Sequence, residues 1–194
     1  ALYNRIKAIK TDGLDAEDQR LLDVYKQRFE LAGANLSDAD KEQMKKINAE
    51  LATLSTQFSS KLLEARKKGA VLISDVKELD GLSADEIAAA ATDAKNAGYE
   101  GKYLLTLLNT TQQPLLQNLK NRATREKLFK ASWYRAEKGD ENDTRAILER
   151  QAKLRMEKAH LMGKSSYAEL NLVDQMAKKP ENAMNLLYQL GKPA

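Results

Sequence analysis

The chain has 194 residues, a length that suits one domain or two small ones. Leucine and alanine occur 29 and 27 times, whereas valine and isoleucine occur only 4 and 6 times. Because leucine and alanine favour helices and β-branched residues favour strands, this composition argues against a β-sandwich, a barrel or a doubly wound parallel sheet. The net charge of +4 comes from 32 basic and 28 acidic residues, which are too evenly mixed for a nucleic-acid-binding surface.

The sequence lacks the features that mark several other classes of protein. It contains no cysteine, and therefore no disulfide bond, thiolate metal site or cysteine nucleophile. No apolar run approaches the ~18 residues of a membrane span, and the first residues do not resemble a signal peptide. We therefore expect a cytoplasmic protein whose partners include neither nucleic acid nor a membrane. The chain begins with Ala1 rather than methionine, and we expect it to be a fragment of a longer protein.

Apolar periodicity predicts three helices in the first third of the chain. A short helix over 2–10 precedes a helix over 16–32, which Asp15 caps and Gly33 ends. A longer helix runs from Ser37 to Lys68, and its apolar residues recur every three or four positions. A seam of this length predicts a helix hairpin, with the 16–32 helix as the neighbour. The seam consists of Met44, Ile47, Leu51, Leu54, Phe58 and Leu62.

Two apolar runs predict the only strands. Residues 71–73 and 104–107 are the two candidates, and each is the other's only possible partner. Between them, Ser83 and Glu86 form a capping-box pattern that opens an alanine-rich helix ending at Gly98.

The pattern of the remaining residues is typical of helices. One starts at 109–111 with Pro114 in its first turn, and others cover 121–138, 142–162, 166–178 and 180–190. The sequence thus predicts a mainly α protein: a multi-helix, bundle-like lobe with one long helix hairpin and a minor two-stranded β element.

The single histidine restricts metal chemistry. A zinc site of the His-Glu-x-x-His type needs two imidazoles on one helical face, and this chain has only His160. Glu157 and His160 have the Glu-x-x-His spacing of a di-iron carboxylate bundle, but the second such motif is missing. Because Leu154 and Leu161 lie on the apolar stripe of this helix, together with Ile147, we expect Glu157 and His160 on the solvated face.

Three other groups could carry chemistry, and each also has a structural interpretation. Residues 163–165, Gly-Lys-Ser, resemble the end of a phosphate-binding loop but lack its first glycine and strand, which favours a helix C-cap. Trp133 and Tyr134 beside Arg135 could stack on a ligand, although an aromatic residue at helical spacing from Phe129 favours a core position. Arg122 and Arg125 could hold a peptide carboxylate, but pairing with Glu126 or another neighbouring acid is the favoured interpretation. On these residues alone the chain is a helical module without a complete active site.

A series of short motifs, mostly in the second half of the chain, changes this interpretation. Their order and spacing resemble those of the thimet-oligopeptidase-like zinc metallopeptidases, family M3, and within that family they are most similar to the bacterial peptidyl-dipeptidase branch. The resemblance covers nearly the whole chain. The motifs are Arg28–Gly33, Leu36–Lys41, Asn109–Pro114, Asn121–Phe129, Ser132–Trp133, Arg135–Glu137, Asn142–Thr144, Leu154–Arg155, Ala159–Gly163, Ser166–Ala168 and Asp174–Lys178.

This resemblance implies a much longer, almost entirely helical parent enzyme with a deep channel for short peptides. The implied activity is zinc-dependent hydrolysis of oligopeptides with release of C-terminal dipeptides. The catalytic and zinc-binding residues of the family lie downstream of the matched region, so no residue of this chain is a catalytic, cofactor-binding or metal-binding candidate. Residues 1–108 are then an N-terminal helical lobe with the small β pair, and 109–194 begin the peptidase region. A non-catalytic helical binding or adaptor module is the alternative.

Overall fold

A computed structural model describes residues 2–108 and 113–191. Within these ranges the chain forms nine α-helices and one sheet of two strands, which confirms the prediction of a mainly α protein. The chain divides into two compact units, one of residues 1–53 and 150–194 and one of residues 54–149. The division at residues 108 and 109 stays a prediction. None of the helices in the described ranges is long and apolar enough to cross a membrane.

The first unit is built from helices, two of which continue into the second unit. The long helix α3 (Asp38–Lys68) is unbroken, as predicted, and starts one residue after Ser37, whose hydroxyl accepts a hydrogen bond from the backbone N–H of Asp40. Asp15 caps α2 by accepting from the backbone N–H of Asp18 at 2.8 Å. The helices of this unit are α1 (Leu2–Lys7), α2 (Ala16–Leu31), α3 (Asp38–Lys68), α7 (Arg145–Leu161), α8 (Tyr167–Leu172) and α9 (Pro180–Gly191).

The apolar seam of α3 is only partly buried. Met44 and Ile47 are buried, whereas the other four residues of the seam are half-buried. The second half of the seam belongs to the second unit and α2 to the first, so the packing of the whole seam on α2 stays a prediction. In the first unit α3 contacts α7: the Arg150 guanidinium donates two hydrogen bonds to Glu50 at 2.6 and 2.8 Å. The sequence did not identify α7 as a neighbour of α3.

The second unit surrounds the small sheet. Strands β1 (Val71–Ile73) and β2 (Tyr103–Leu105) pair with each other, as predicted, with Leu72 opposite Leu104. The pairing is antiparallel, a direction that the sequence left open, and β2 covers 103–105 rather than the predicted 104–107. Ser83 and Glu86 form both halves of the predicted capping box at the start of α4, at 3.2 and 2.7 Å. The remaining elements are a 3₁₀ turn (Val76–Leu79), α4 (Ala84–Asn96), α5 (Leu115–Asn118) and α6 (Arg122–Trp133).

The core of the second unit lies against one face of the sheet. Ile73 and Leu105 point to this face, and Leu128 from α6 and Leu79 from the 3₁₀ turn pack with them. All four are almost completely buried. The other buried members are Leu82, Ala90, Leu107 and Leu119.

Several helices end earlier than the apolar pattern predicted. The helix predicted over 121–138 ends at Trp133, because the buried Ala136 has a positive φ of 61° and its carbonyl accepts from the backbone N–H of Thr144. The helix predicted over 166–178 ends at Leu172, and Lys178 also has a positive φ. The helix start predicted at 109–111 lies outside the described residues, and α5 begins directly after Pro114.

Gly81 lies in close backbone contact with the segment that precedes α6. Its φ is +99°, and a Cβ atom there would lie 2.0 Å from the carbonyl oxygen of Asn118. This close approach accompanies a hydrogen bond from the backbone N–H of Lys120 to the carbonyl of Asp80 at 2.8 Å. Only glycine satisfies both the backbone angle and the space.

Leu154 and Leu148 on α7 provide a matched test of core burial. Leu154 is 1% exposed and Leu148 is 48% exposed. We expect Leu154→Ala to lower the free energy of unfolding by about 2–5 kcal/mol, because it leaves a cavity. Leu148→Ala should lower the free energy of unfolding by much less, because this side chain is half exposed. Urea unfolding followed by circular dichroism measures both, and equal losses would contradict the burial of Leu154.

Replacing Gly81 separates backbone strain from steric overlap. Gly98 also has a positive φ, of +86°, but no atom lies within 4 Å of the position that a Cβ would take there. Gly98→Ala should therefore lower the free energy of unfolding by only about 1–2 kcal/mol, because alanine must adopt a left-handed backbone conformation there. We expect Gly81→Ala to be clearly more destabilising, because the Asn118 carbonyl must also move. Thermal unfolding midpoints compare the two variants, and a Gly81→Ala midpoint equal to that of Gly98→Ala would speak against this contact.

Candidate functional site

His160 and Glu157 lie on the solvent-exposed side of α7, as the sequence predicted. Ile147 and Leu154 on the apolar stripe are buried, and Leu161 is half-buried. The carboxylate of Glu157 is 3.5 Å from the guanidinium of Arg150. Within the described ranges, no three side chains of His, Asp or Glu come together in a way that could hold a metal ion.

The Gly-Lys-Ser segment forms a turn between two helices. Gly163 has a φ of +71°, and the backbone N–H of Lys164 donates to the carbonyl of Ala159 at 2.8 Å, which closes α7. Ser166 caps α8 through the backbone N–H of Glu169 at 3.1 Å. In a capping box the Glu169 carboxylate would accept from the backbone N–H of Ser166, the N-cap residue. Here it accepts from the backbone N–H of Ser165 instead. This bond holds the pKa of Glu169 below its usual value. The helix C-cap interpretation of residues 163–165 is confirmed.

Arg125 holds the end of α5 in place. Its guanidinium donates to the backbone carbonyls of Leu119 and Lys120 at 2.6 and 2.8 Å. The interpretation that the two arginines pair with Glu126 holds only in part. Glu126 forms its ion pair with Lys130 at 2.5 Å rather than with Arg125. The Lys130 ammonium lowers the pKa of Glu126, and the positive charge of Arg122 also lowers this pKa.

Arg122 remains exposed beside a shallow groove of about 360 Å³. Because two backbone carbonyls already hold Arg125, the pair of arginines is not a ready carboxylate clamp. The groove is lined by Leu116, Arg122, Arg125, Glu126 and Phe129.

The aromatic residues of α6 lie outside the core. The rings of Phe129 and Trp133 stack with centroids 5.5 Å apart and an interplanar angle of 18°. Their side chains are 48% and 64% exposed, so the core interpretation is wrong. The inward face of α6 is instead the one that carries Thr124 and Leu128, which are four residues apart and buried. Phe129 follows Leu128 by one residue and Trp133 lies one helical turn after Phe129, so both lie on a different side of the helix.

A polar cluster links Leu108 to Gln113 and to the end of α6. The side-chain amide of Gln113 accepts from the backbone N–H of Leu108 at 3.1 Å and donates to the hydroxyl of Ser132 at 3.1 Å. The guanidinium of Arg135 donates to the Leu108 carbonyl at 2.7 Å. Gln113 is buried, so these bonds satisfy an amide that would otherwise be costly to bury. Sequence reasoning assigned no role to Gln113 or Ser132.

A second polar cluster shapes the loop between α6 and α7. The carboxylate of Asp143 accepts from the backbone N–H of Gly139 at 2.8 Å and from the backbone and guanidinium of Arg145. These hydrogen bonds, those of Arg145 above all, hold the pKa of Asp143 far below its usual range. Lys61 and Lys68 of α3 donate to the backbone carbonyl and to the carboxylate of Glu141. The acidic residues of this loop are therefore used to fix its conformation.

The motif residues of the second half thus hold turns and helix ends. Gln113, Asn121, Arg135, Asp143 and Ser166 each bind a backbone group close to the end of an element. None of these contacts places a nucleophile beside a general base. These motifs therefore reflect the requirements of the fold. The functional assignment depends instead on similarity to other proteins.

Comparison with known proteins finds that similarity. Residues 115–194 match the family model described as Peptidase family M3. The dipeptidyl carboxypeptidase of Escherichia coli (strain K12) is 48% identical over 193 residues, which cover 97% of this chain and 28% of that protein. This chain is similar to peptidases of family M3 along nearly its whole length. The resemblance indicated by the motifs is confirmed.

Two further relatives agree with this assignment. The dipeptidyl carboxypeptidase of Salmonella typhimurium is 46% identical over 198 residues, covering 100% of this chain and 29% of that protein. A probable cytosolic oligopeptidase A of Arabidopsis thaliana is 38% identical over 199 residues, covering 97% of this chain and 28% of that protein. The chain therefore spans less than a third of the length of these relatives.

The lowered pKa of Asp143 predicts a pH dependence of stability. A carboxylate whose pKa falls on folding stabilises the fold above its unfolded pKa of about 3.9, and loses that contribution as pH falls through its folded pKa. We expect Asp143→Asn to lower the unfolding midpoint at pH 7, and the difference from the unmodified chain to shrink below pH about 4. Thermal unfolding between pH 7 and pH 3 measures this. Glu137→Gln is the control, and a difference for Asp143→Asn that is constant with pH would contradict the role of its charge.

Proposed function

We propose that this chain is the N-terminal part of a zinc metallopeptidase that hydrolyses oligopeptides and releases dipeptides from their C-termini. The observation that carries this proposal is 48% identity, along 97% of the chain, to a protein named dipeptidyl carboxypeptidase. Oligopeptidase A relatives match along the same stretch at lower identity. The intact enzyme acts in the cytoplasm on short peptides, without a nucleic-acid or membrane partner.

The residues of this chain do not fit a zinc site. Stable catalytic zinc sites use three protein ligands, commonly including histidine, and this sequence offers one histidine and no cysteine. His160 is exposed, with no further histidine in the chain to join it. The residues that bind zinc and act in catalysis therefore belong to the remainder of the parent protein, and none lies within residues 1–194. This chain supplies part of a helical lobe.

A non-catalytic adaptor module is not the favoured alternative. An adaptor would match binding proteins along its length, whereas the relatives of this chain described above are all named as peptidases. Their names distinguish dipeptide release from general oligopeptide cleavage, and the higher identity to the dipeptidyl carboxypeptidases supports dipeptide release.

Metal content and hydrolysis test this proposal together. We expect the purified 194-residue chain to retain no stoichiometric zinc after dialysis and to cleave no oligopeptide, because it lacks the ligands. The intact parent should retain zinc and release C-terminal dipeptides, detected by mass spectrometry. His160→Ala in the parent is the control and should leave both properties unchanged.

Two outcomes would contradict parts of the proposal. Zinc-dependent dipeptide release by the isolated chain would overturn the placement of the active site. Cleavage by the parent only at internal bonds would retain the peptidase and refute dipeptide release.

A further inference from the structure

The last helix of the chain presents a broad apolar face to solvent. On a helical wheel the apolar side chains of α9 occupy a continuous arc of more than half the circumference, and the polar side chains occupy the rest. Leu187, near the middle of this arc, is 58% exposed, and Leu190 is 63% exposed. We call this surface the α9 face; it consists of Ala183, Met184, Leu186, Leu187, Tyr188 and Leu190.

The start of this helix is held by its own residues. Pro180 occupies the first helical position, where a missing backbone N–H costs nothing. The side chain of Asn182 donates to the carbonyl of Ala177 at 2.8 Å, which ties the first turn to the preceding segment. An amphipathic helix held in this way, with its apolar side uncovered, is a surface that normally binds something.

The chemistry of α9 disfavours a lipid surface. Helices that lie on membranes carry Lys and Arg on their polar side. The polar side of α9 consists of Glu181, Asn182, Asn185 and Gln189, and the helix contains no basic residue.

A second copy of the chain is also a poor occupant. A helix of 12 residues is about 18 Å long and 10–12 Å wide. Its apolar side alone is therefore much smaller than the ~800 Å² per partner of a typical stable interface. Association of separate molecules also loses translational and rotational freedom. A surface of this size is better suited to a segment of the same polypeptide, which does not incur that loss.

We propose that the α9 face is the surface on which the catalytic remainder of the parent peptidase packs. The inference rests on the proposed function, since it assumes that the chain is part of a longer enzyme. It is supported by the share of the relatives that the chain covers, 28% of the Escherichia coli dipeptidyl carboxypeptidase. The uncovered part of a relative of that length, nearly three quarters of it, would provide apolar surface from the same polypeptide. The side chains of the α9 face are then buried in the intact enzyme.

Cysteine labelling tests this burial directly, because the chain contains no cysteine of its own. Leu187→Cys places a thiol within the α9 face, and Asn185→Cys places one on the polar side of the same helix. Leu190→Cys and Gln189→Cys form a second pair, so that the result does not depend on one variant folding. Each variant is made in the 194-residue chain and in the intact parent, and is labelled with a maleimide under native conditions. Peptide mass spectrometry identifies the labelled site.

In the isolated chain we expect both members of each pair to react at similar rates. In the parent, the thiols at 187 and 190 should react more than about tenfold more slowly than those at 185 and 189, because a buried thiol is inaccessible to the reagent. Equal rates in the parent would overturn the proposal. Protection that appears in the isolated chain and increases with its concentration would also overturn it, because it would identify a second copy as the occupant.

Peptidase activity is measured on the same parent preparations. Protection of the thiols at 187 and 190 in a parent without peptidase activity would support this interface and refute the proposed function. Peptidase activity in a parent whose thiols at 187 and 190 are not protected would support the proposed function and refute this interface.

Discussion

Burial of the apolar layer beneath the two short strands is the constraint on which the second unit depends. Strands of three residues are too short to be stable as an isolated pair. Ile73 and Leu105 become stable as strand residues because Leu79 and Leu128 cover them from other elements. The sheet therefore requires the helices, and the position of α6 follows from the need to bury Leu128.

The polar clusters depend on this apolar layer. Once α6 packs through Leu128, its Ser132 and the following Arg135 meet the segment that leaves β2, where they bind Gln113 and the Leu108 carbonyl. The chain then turns at Ala136 and is fixed by Asp143 before α7 begins. Buried polar groups of this kind need hydrogen-bond partners with good geometry. The short motifs supply these partners, and in this way they stabilise the fold.

The functional assignment has a different basis from the fold. The candidates for chemistry within the chain each have a structural role or an exposed position: Arg125 holds backbone carbonyls, residues 163–165 form a turn, and His160 lies on a solvated face. The link to family M3 comes from the match of residues 115–194 to the family model and from similarity along 97% of the chain to a longer peptidase. The exposed apolar side of α9 is consistent with a chain that spans less than a third of the length of its peptidase relatives.

The sequence by itself determined the features that depend on residues a few positions apart. Caps such as Ser83 with Glu86, the unbroken helix from Asp38 to Lys68 and the two apolar strand runs were all predicted, because hydrogen bonds and periodicity within about four residues decide them. Only the tertiary structure decided that α7 contacts α3, that α6 stops at Trp133, and that Phe129 lies outside the core. These features depend on groups far apart in the sequence, such as Glu50 with Arg150, whose meeting no local pattern specifies.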